Sequence, residues 1–195
     1  SHNEKIRSNI SKDFDINIIA DRSIDKKNYP SSIKTTKNPL DLPMDSDLDI
    51  IVELLGGIDL PYQIITESIK NKKHIITANK ALIAEHGDEI FKLAKQYNVY
   101  FGYEASVAGA IPIISTLTKN MANENIISIV GIINGTCNYI LDQMTSYDMS
   151  FEDALSSAKD LGYAESDPTF DINGTDVAHK ISIPVSYTHL TLPTI

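Results

Sequence analysis

The chain opens with short β-branched runs separated by longer stretches whose apolar residues recur every three or four positions. Residues 16–20 (INIIA) run into Asp21-Arg22 and a polar, proline-containing segment to Pro43. That pattern predicts a buried strand followed by a surface connection. Residues 49–55 (DIIVELL) repeat it and end in Gly56-Gly57. Asp59 can then cap a helix whose first turn holds Pro61, with Tyr62, Ile65 and Ile69 on one face. Residues 73–77 (KHIIT) form a third run, Ile90, Leu93, Ala94 and Tyr97 stripe the next helix, and residues 99–103 (VYFGY) form a fourth. Apolar strands alternating with helices across short connections predict an α/β fold, a parallel sheet with helices on its faces.

A second region begins at Glu104. In EASVAGAIPIISTL small residues lead into a helix with Ile114, Leu117 and Met121 on one side. Residues 126–133 (IISIVGII) predict a further strand, and Asn134-Gly135-Thr136 turns it into a helix bearing Tyr139, Ile140 and Met144. Ser150 with Asp153 approximates a capping box for a helix through Ala154, Leu155, Ala158 and Leu161. Gly162 suits the left-handed position that ends a helix, and Pro168 keeps Asp167 out of the helical region, so residues 162–174 are expected to be a structured loop. After Gly174 the pattern is helical again, which places Asp176 and Lys180 on one face with Glu165, Asp167 and Asp171 on the loop approaching it. An Asp–Lys pair at this spacing is ordinarily a solvated surface ion pair, and acids in a loop are ordinarily turn formers. Several acids around one lysine also suit a small ligand that carries an ammonium group and a proton to be moved.

Composition narrows the classes. The chain has 195 residues, 42% of them hydrophobic, enough for a core. A formal charge of −9 argues against nucleic-acid and anionic-membrane surfaces and for a small-molecule partner. The single cysteine, Cys137, excludes an intramolecular disulfide and fits a reducing cytoplasm. No apolar run approaches the roughly eighteen residues of a membrane span, and the first residues lack the apolar core of a signal peptide.

The stretch from Ala158 to Lys180 is similar in order and spacing to the signature of homoserine dehydrogenases: Ala158, Gly162, Tyr163, Ala164, then Asp167-Pro168, Asp171-Ile172, Gly174, Asp176 and Lys180. Residues 104–117 and the stretch NGTCNYIL resemble the same family, so the resemblance covers roughly residues 16–183. It implies an NAD(P)-binding domain at residues 1–103 and a catalytic and dimerisation domain of α+β type at 104–183. The reaction it implies is reversible conversion of L-homoserine to L-aspartate 4-semialdehyde, a step toward threonine, methionine and isoleucine. A dinucleotide fold opens with a strand and a G-x-G-x-x-G turn that holds the pyrophosphate, and no such motif occurs here. The expectation is therefore a fragment with an incomplete Rossmann-type sheet, in which residues 1–14 form the end of a first helix. Residues 184–195 (PVSYTHLTLPTI) depart from the family's apolar helix, and a non-native, disordered tail that does not continue the helix is expected there.

The resemblance also implies roles. Lys180 gives a proton to the aldehyde in the reductive direction and accepts it in the other. A lysine does this near neutral pH only where burial or a second cation opposes a carboxylate neighbour, which casts Asp176 as the group that orients Lys180 or the substrate. Glu165 holds the substrate ammonium with help from Asp171, and Gly162 lets the loop backbone approach the cofactor. Ligands bind beyond the carboxyl ends of the strands, where Arg22, Gly56, Gly57 and Lys80 lie. A basic residue there reads the 2′-phosphate of NADP and an acid favours the ribose of NAD, so Asp21 beside Arg22 leaves the choice between NADP and NAD open. Glu104 with the carbonyls of Val107, Gly109 and Ile111 is implied to hold a monovalent cation, usually sodium. The full-length protein is implied to be a homodimer or homotetramer. Two other readings stand beside this one: a different NAD(P)-dependent oxidoreductase of amino acids or semialdehydes, and a substrate-domain fragment without activity.

Overall fold

The computed structural model describes residues 14–188; the helix end expected at residues 1–14 therefore lies almost wholly outside the described residues. Among the described residues five short strands form two parallel ladders. β1 (Ile18–Ala20) pairs with β2 (Lys34–Thr36), and β3 (Ile50–Glu53), β4 (His74–Thr77) and β5 (Phe101–Gly102) form a second ladder with β4 in the centre. These are the pairings that a doubly wound 3-2-1-4-5-6 order has on either side of its first strand. No described strand joins the two ladders.

Helix α1 (Asp59–Lys70) links β3 to β4, and α2 (Lys80–Tyr97) links β4 to β5. Ile64, Ile65 and Ile69 of α1 and Leu82, Ile90 and Ala94 of α2 bury against Ile51 and Ile75 of the sheet, the main core. The expected Asp59 cap is not observed: Ile58 takes the capping position and Asp59 is the first helical residue, its carboxylate left to act on the helix dipole. Asn79 caps α2 by accepting the Leu82 N–H, and α2 ends on Asn98 at φ 55°. The opposite face of the sheet leaves Ile50, Val52 and Ile76 exposed among the described residues.

From Glu104 onward the described chain forms helices and loops and no strand. The helix expected around Ile114 is only one turn, α3 (Ile113–Ser115), continuing as a π-turn, Thr116–Asn120. The strand expected at residues 126–133 does not form; Ile127 and Val130 are 89% and 93% exposed. A β-branched run becomes a strand only where a neighbour accepts its backbone hydrogen bonds, and no described segment does so. Helices α4 (Gly135–Tyr147) and α5 (Phe151–Asp160) pack through Ile140, Ala154, Ala158 and Ala164. Ser150 caps α5 as expected, accepting the Asp153 N–H at 3.1 Å.

The segment between Gly162 and Gly174 contains a turn of helix, α6 (Thr169–Ile172), rather than loop alone; Asp167 accepts both the N–H and the hydroxyl of Thr169 and so starts it. Helix α7 (Thr175–Thr188) runs on through Pro184, against the expectation that the helix stops at that proline. Pro184 brings no N–H for the carbonyl of Lys180, but the apolar face holds the segment down: Ile183 buries with Ile83, Tyr103, Val107 and Ile114. That cluster joins α7 to α2, so the second region is docked on the first.

Ile75 is fully buried at the centre of the three-stranded ladder. Ile75→Ala is expected to cost about 2–5 kcal/mol in urea unfolding; a loss below about 1 kcal/mol would show that this ladder is not the core.

Candidate active site

The first glycine of the signature does what its position requires. α5 ends at Leu161, and Gly162 takes φ 77°. The Gly162 N–H donates to the Lys159 carbonyl at 3.0 Å and the Tyr163 N–H to the Ala158 carbonyl at 2.8 Å, the pair of bonds that closes a helix on a left-handed residue. This reverses the chain so that residues 163–174 return across the start of α4. Gly174, at φ 81°, reverses it again into α7.

Between these reversals lies a cluster built on Asp176, which is 7% exposed. One of its oxygens takes the Lys180 ammonium at 2.7 Å and the Asn134 side-chain amide at 2.8 Å; the other is paired with Lys80. Burial by itself would raise this carboxyl, but hydrogen bonds from Lys180, Lys80 and Asn134 outweigh it and hold it down at about 2. Asn134 also donates to Asp171 at 2.7 Å, and the Thr136 hydroxyl lies 3.0 Å from the other Asp171 oxygen. The Lys180 ammonium makes a second bond, to the Ile133 carbonyl at 2.8 Å. The result is two carboxylates and two ammonium groups in one partly buried cluster.

The fold thus brings together Lys180, Asp176, Asp171 and Lys80. Glu165 is exposed and has no partner among the described residues, on the loop that follows Gly162. Gly56 and Gly57 form the turn after β3, with open space where a Cβ would stand, and Gly57 has φ 81°. A planar ring can approach the backbone there. Arg22 is exposed after β1, whereas Asp21 is committed: it accepts from the Ser23 N–H at 2.7 Å, Lys27 at 2.6 Å and Tyr29 at 2.7 Å. Those donors, Lys27 first, hold its carboxyl well below the usual range.

Glu104 turns both oxygens to the start of α3, accepting the Ile114 and Ser115 N–H groups at 2.7 and 2.8 Å. Val107 is buried, Gly109 and Ile111 are exposed, and Ala108 and Ala110 both have φ 56°, a conformation alanine rarely takes. Cys137 caps nothing reactive: burial, then the Asp171 and Asp176 charges, push its thiol up.

The residues missed in the sequence are Asn134, Thr136, Glu53 and Thr77. In the sequence Asn134 and Thr136 read as a turn into a helix. Their signal was an amide and a hydroxyl at the mouth of a helix opposite a carboxylate-rich loop.

A family description, homoserine dehydrogenase NAD binding domain, matches residues 2–104, over half of the chain, and a second, homoserine dehydrogenase, matches residues 112–193. The chain belongs to the homoserine dehydrogenase family. The homoserine dehydrogenase of Neisseria gonorrhoeae is 45% identical over 181 residues, 92% of this chain and 42% of that protein. Among solved structures, a homoserine dehydrogenase from Thiobacillus denitrificans superposes with a TM-score of 0.81 at 41% identity, covering 90% of this chain and 41% of that one. A hyperthermophilic archaeal homoserine dehydrogenase in complex with NADPH gives 0.76 at 27% identity, covering 97% and 55%. The chain thus spans about 42% of the length of such curated relatives.

Asp176 supplies a test of the cluster. Its folded carboxyl lies at about 2, below the 3.8 of a free side chain, so its stabilisation is complete above about pH 4 and lost as the pH falls toward 2. Unfolding stability followed from about pH 5 to about pH 2 should fall by about 2 kcal/mol more in the parent than in Asp176→Asn; parallel curves would mean the carboxylate is not held by the two lysines.

Proposed function

We propose that this chain carries the nicotinamide edge and the proton-transfer site of a homoserine dehydrogenase, interconverting L-homoserine and L-aspartate 4-semialdehyde. The observation that carries this reading is the junction at Asp176, where Lys80 of the nucleotide-binding half and Lys180 of the catalytic half meet on one carboxylate. Bound NAD(P) supplies the hydride acceptor. Lys180 faces the hydroxyl of the substrate and takes its proton as the carbon loses hydride, or returns it in the reductive direction. The Ile133 carbonyl and Asp176 fix the direction of that ammonium before substrate arrives. Lys80 on the same carboxylate supplies the second cation that proton transfer from a lysine beside an aspartate needs.

Glu165, without a partner among the described residues, is the acid for the substrate ammonium; Asp171, held by Asn134 and Thr136, assists. Gly56, Gly57 and Gly162 leave space for the nicotinamide. Glu104 and the carbonyls of Val107, Gly109 and Ile111 offer only hard oxygen donors, the set a sodium-like ion takes, and the paired left-handed alanines suit a loop shaped around one. The apolar surface at Ile127, Val130 and Ile132 supports a homo-oligomer of the full-length protein, and we place that protein in the cytoplasm.

With Asp21 occupied by Lys27 and Tyr29, the exposed Arg22 is the group left to meet the adenosine ribose, so NADP is the favoured cofactor. In the full-length enzyme kcat/KM should be higher with NADP than with NAD, and the double variant Lys27→Met, Tyr29→Phe should move the ratio toward NAD by freeing the carboxylate. An unchanged ratio would show that Asp21 plays no part in the choice.

Lys180→Met should lower turnover by orders of magnitude with cofactor affinity little altered, whereas Glu165→Gln should instead raise the KM for homoserine. Full turnover in the lysine variant would exclude the assignment. A substrate panel that found another amino alcohol turned over faster than homoserine would redirect the reaction while keeping its chemistry.

A further inference from the structure

Glu53 ends β3 and is 2% exposed, yet among the described residues it meets no lysine, arginine or histidine. An isolated carboxylate this deep is costly unless its oxygens are satisfied by hydrogen bonds. Here they are, and the donors close a ring. The Leu55 N–H donates to one oxygen at 2.6 Å, and the Thr77 hydroxyl to the other at 2.5 Å. The Thr77 oxygen in turn accepts the Asn79 N–H at 3.0 Å, and the Asn79 side-chain amide donates back to the Leu55 carbonyl at 3.3 Å. The same amide donates to the Gly57 carbonyl at 2.8 Å, while its oxygen accepts the Leu82 N–H that starts α2.

We propose that Glu53 is a positioning residue that sets the Gly56-Gly57 turn against the start of α2, and with it both the nicotinamide cradle and Lys80. The inference rests on the reading that this turn holds the cofactor. The physical case is the direction of each donor. Thr77 accepts the Asn79 N–H and so presents its proton to Glu53; a neutral amide at 53 has one acceptor oxygen for two donors, so its NH2 would face either the Thr77 hydroxyl or the Leu55 N–H and break the ring. Without the ring the Gly57 carbonyl and the Asn79 cap lose their common anchor, and the turn that must lie against a planar ring gains freedom. Lys80, the residue after Asn79, is the first of α2 and reaches Asp176 from there.

The test compares NADPH binding, read by fluorescence titration of the full-length protein without substrate, in Glu53→Gln, Thr77→Val and Thr77→Ser. The Kd for NADPH should rise about tenfold in Glu53→Gln and in Thr77→Val, the size expected for one lost hydrogen bond to a charged group. Thr77→Ser, which keeps the hydroxyl, should recover most of that affinity. At saturating cofactor the KM for homoserine should stay within about twofold, a separation that a general loss of folding would not produce. Parental NADPH affinity in Glu53→Gln and Thr77→Val would overturn the proposal, as would equal weakening in Thr77→Ser and Thr77→Val. Binding is measured apart from homoserine turnover, so failure of this inference is distinguishable from failure of the proposed reaction.

Discussion

The structure depends on one buried carboxylate carrying two ammonium groups. Asp176 lies at the first turn of α7, and its two partners come from different halves of the fold. Taking these charges out of water costs several kcal/mol per ion, so the cluster holds only because its members satisfy one another. Asn134 adds a neutral donor that ties Asp176 to Asp171, and the two acids balance the two lysines. The same arrangement gives the cluster its chemistry. A lysine amine is aimed by a carboxylate and a backbone carbonyl, and a second cation shares the carboxylate.

Three loop decisions deliver those groups. The Gly162 reversal brings residues 163–174 over the mouth of α4, where Thr136 takes the Tyr163 carbonyl at 2.6 Å. The Gly174 reversal starts α7 with Asp176 and Lys180 facing inward. Asn79 caps α2 and so places Lys80 at the first position of that helix. Each is a backbone event of one or two residues, yet together they turn separate elements into a site. Ile183, packed on Ile83 and Ile114, holds α7 against α2 behind it.

Several of the remaining acids serve local structure. Asp167 starts α6, Asp21 is absorbed by Lys27 and Tyr29, Glu53 closes its ring and Glu104 caps α3. Glu165 is exposed and has no partner among the described residues. For a chain of net charge −9, this sorting carries more information than the charge itself.

Much of this was legible in the residues. The alternation of apolar runs with amphipathic stretches located β1, β3, β4, α1 and α2, because burial of side chains at fixed periods is a local property. Gly162, Ser150 and Asn134 marked helix ends, because capping depends on a few neighbouring backbone groups. The length and order of the signature carry the family resemblance, because they need no contact to be read. Tertiary structure alone decided three other matters. Residues 126–133 are mostly Ile and Val and form no strand, because pairing is supplied by a neighbour rather than by propensity. Pro184 stands within a helix, because the apolar contacts of Ile183 outweigh one missing N–H. The pairing of Lys80 with Asp176, ninety-six residues apart, is set by how α7 docks on α2, which no spacing along the chain encodes.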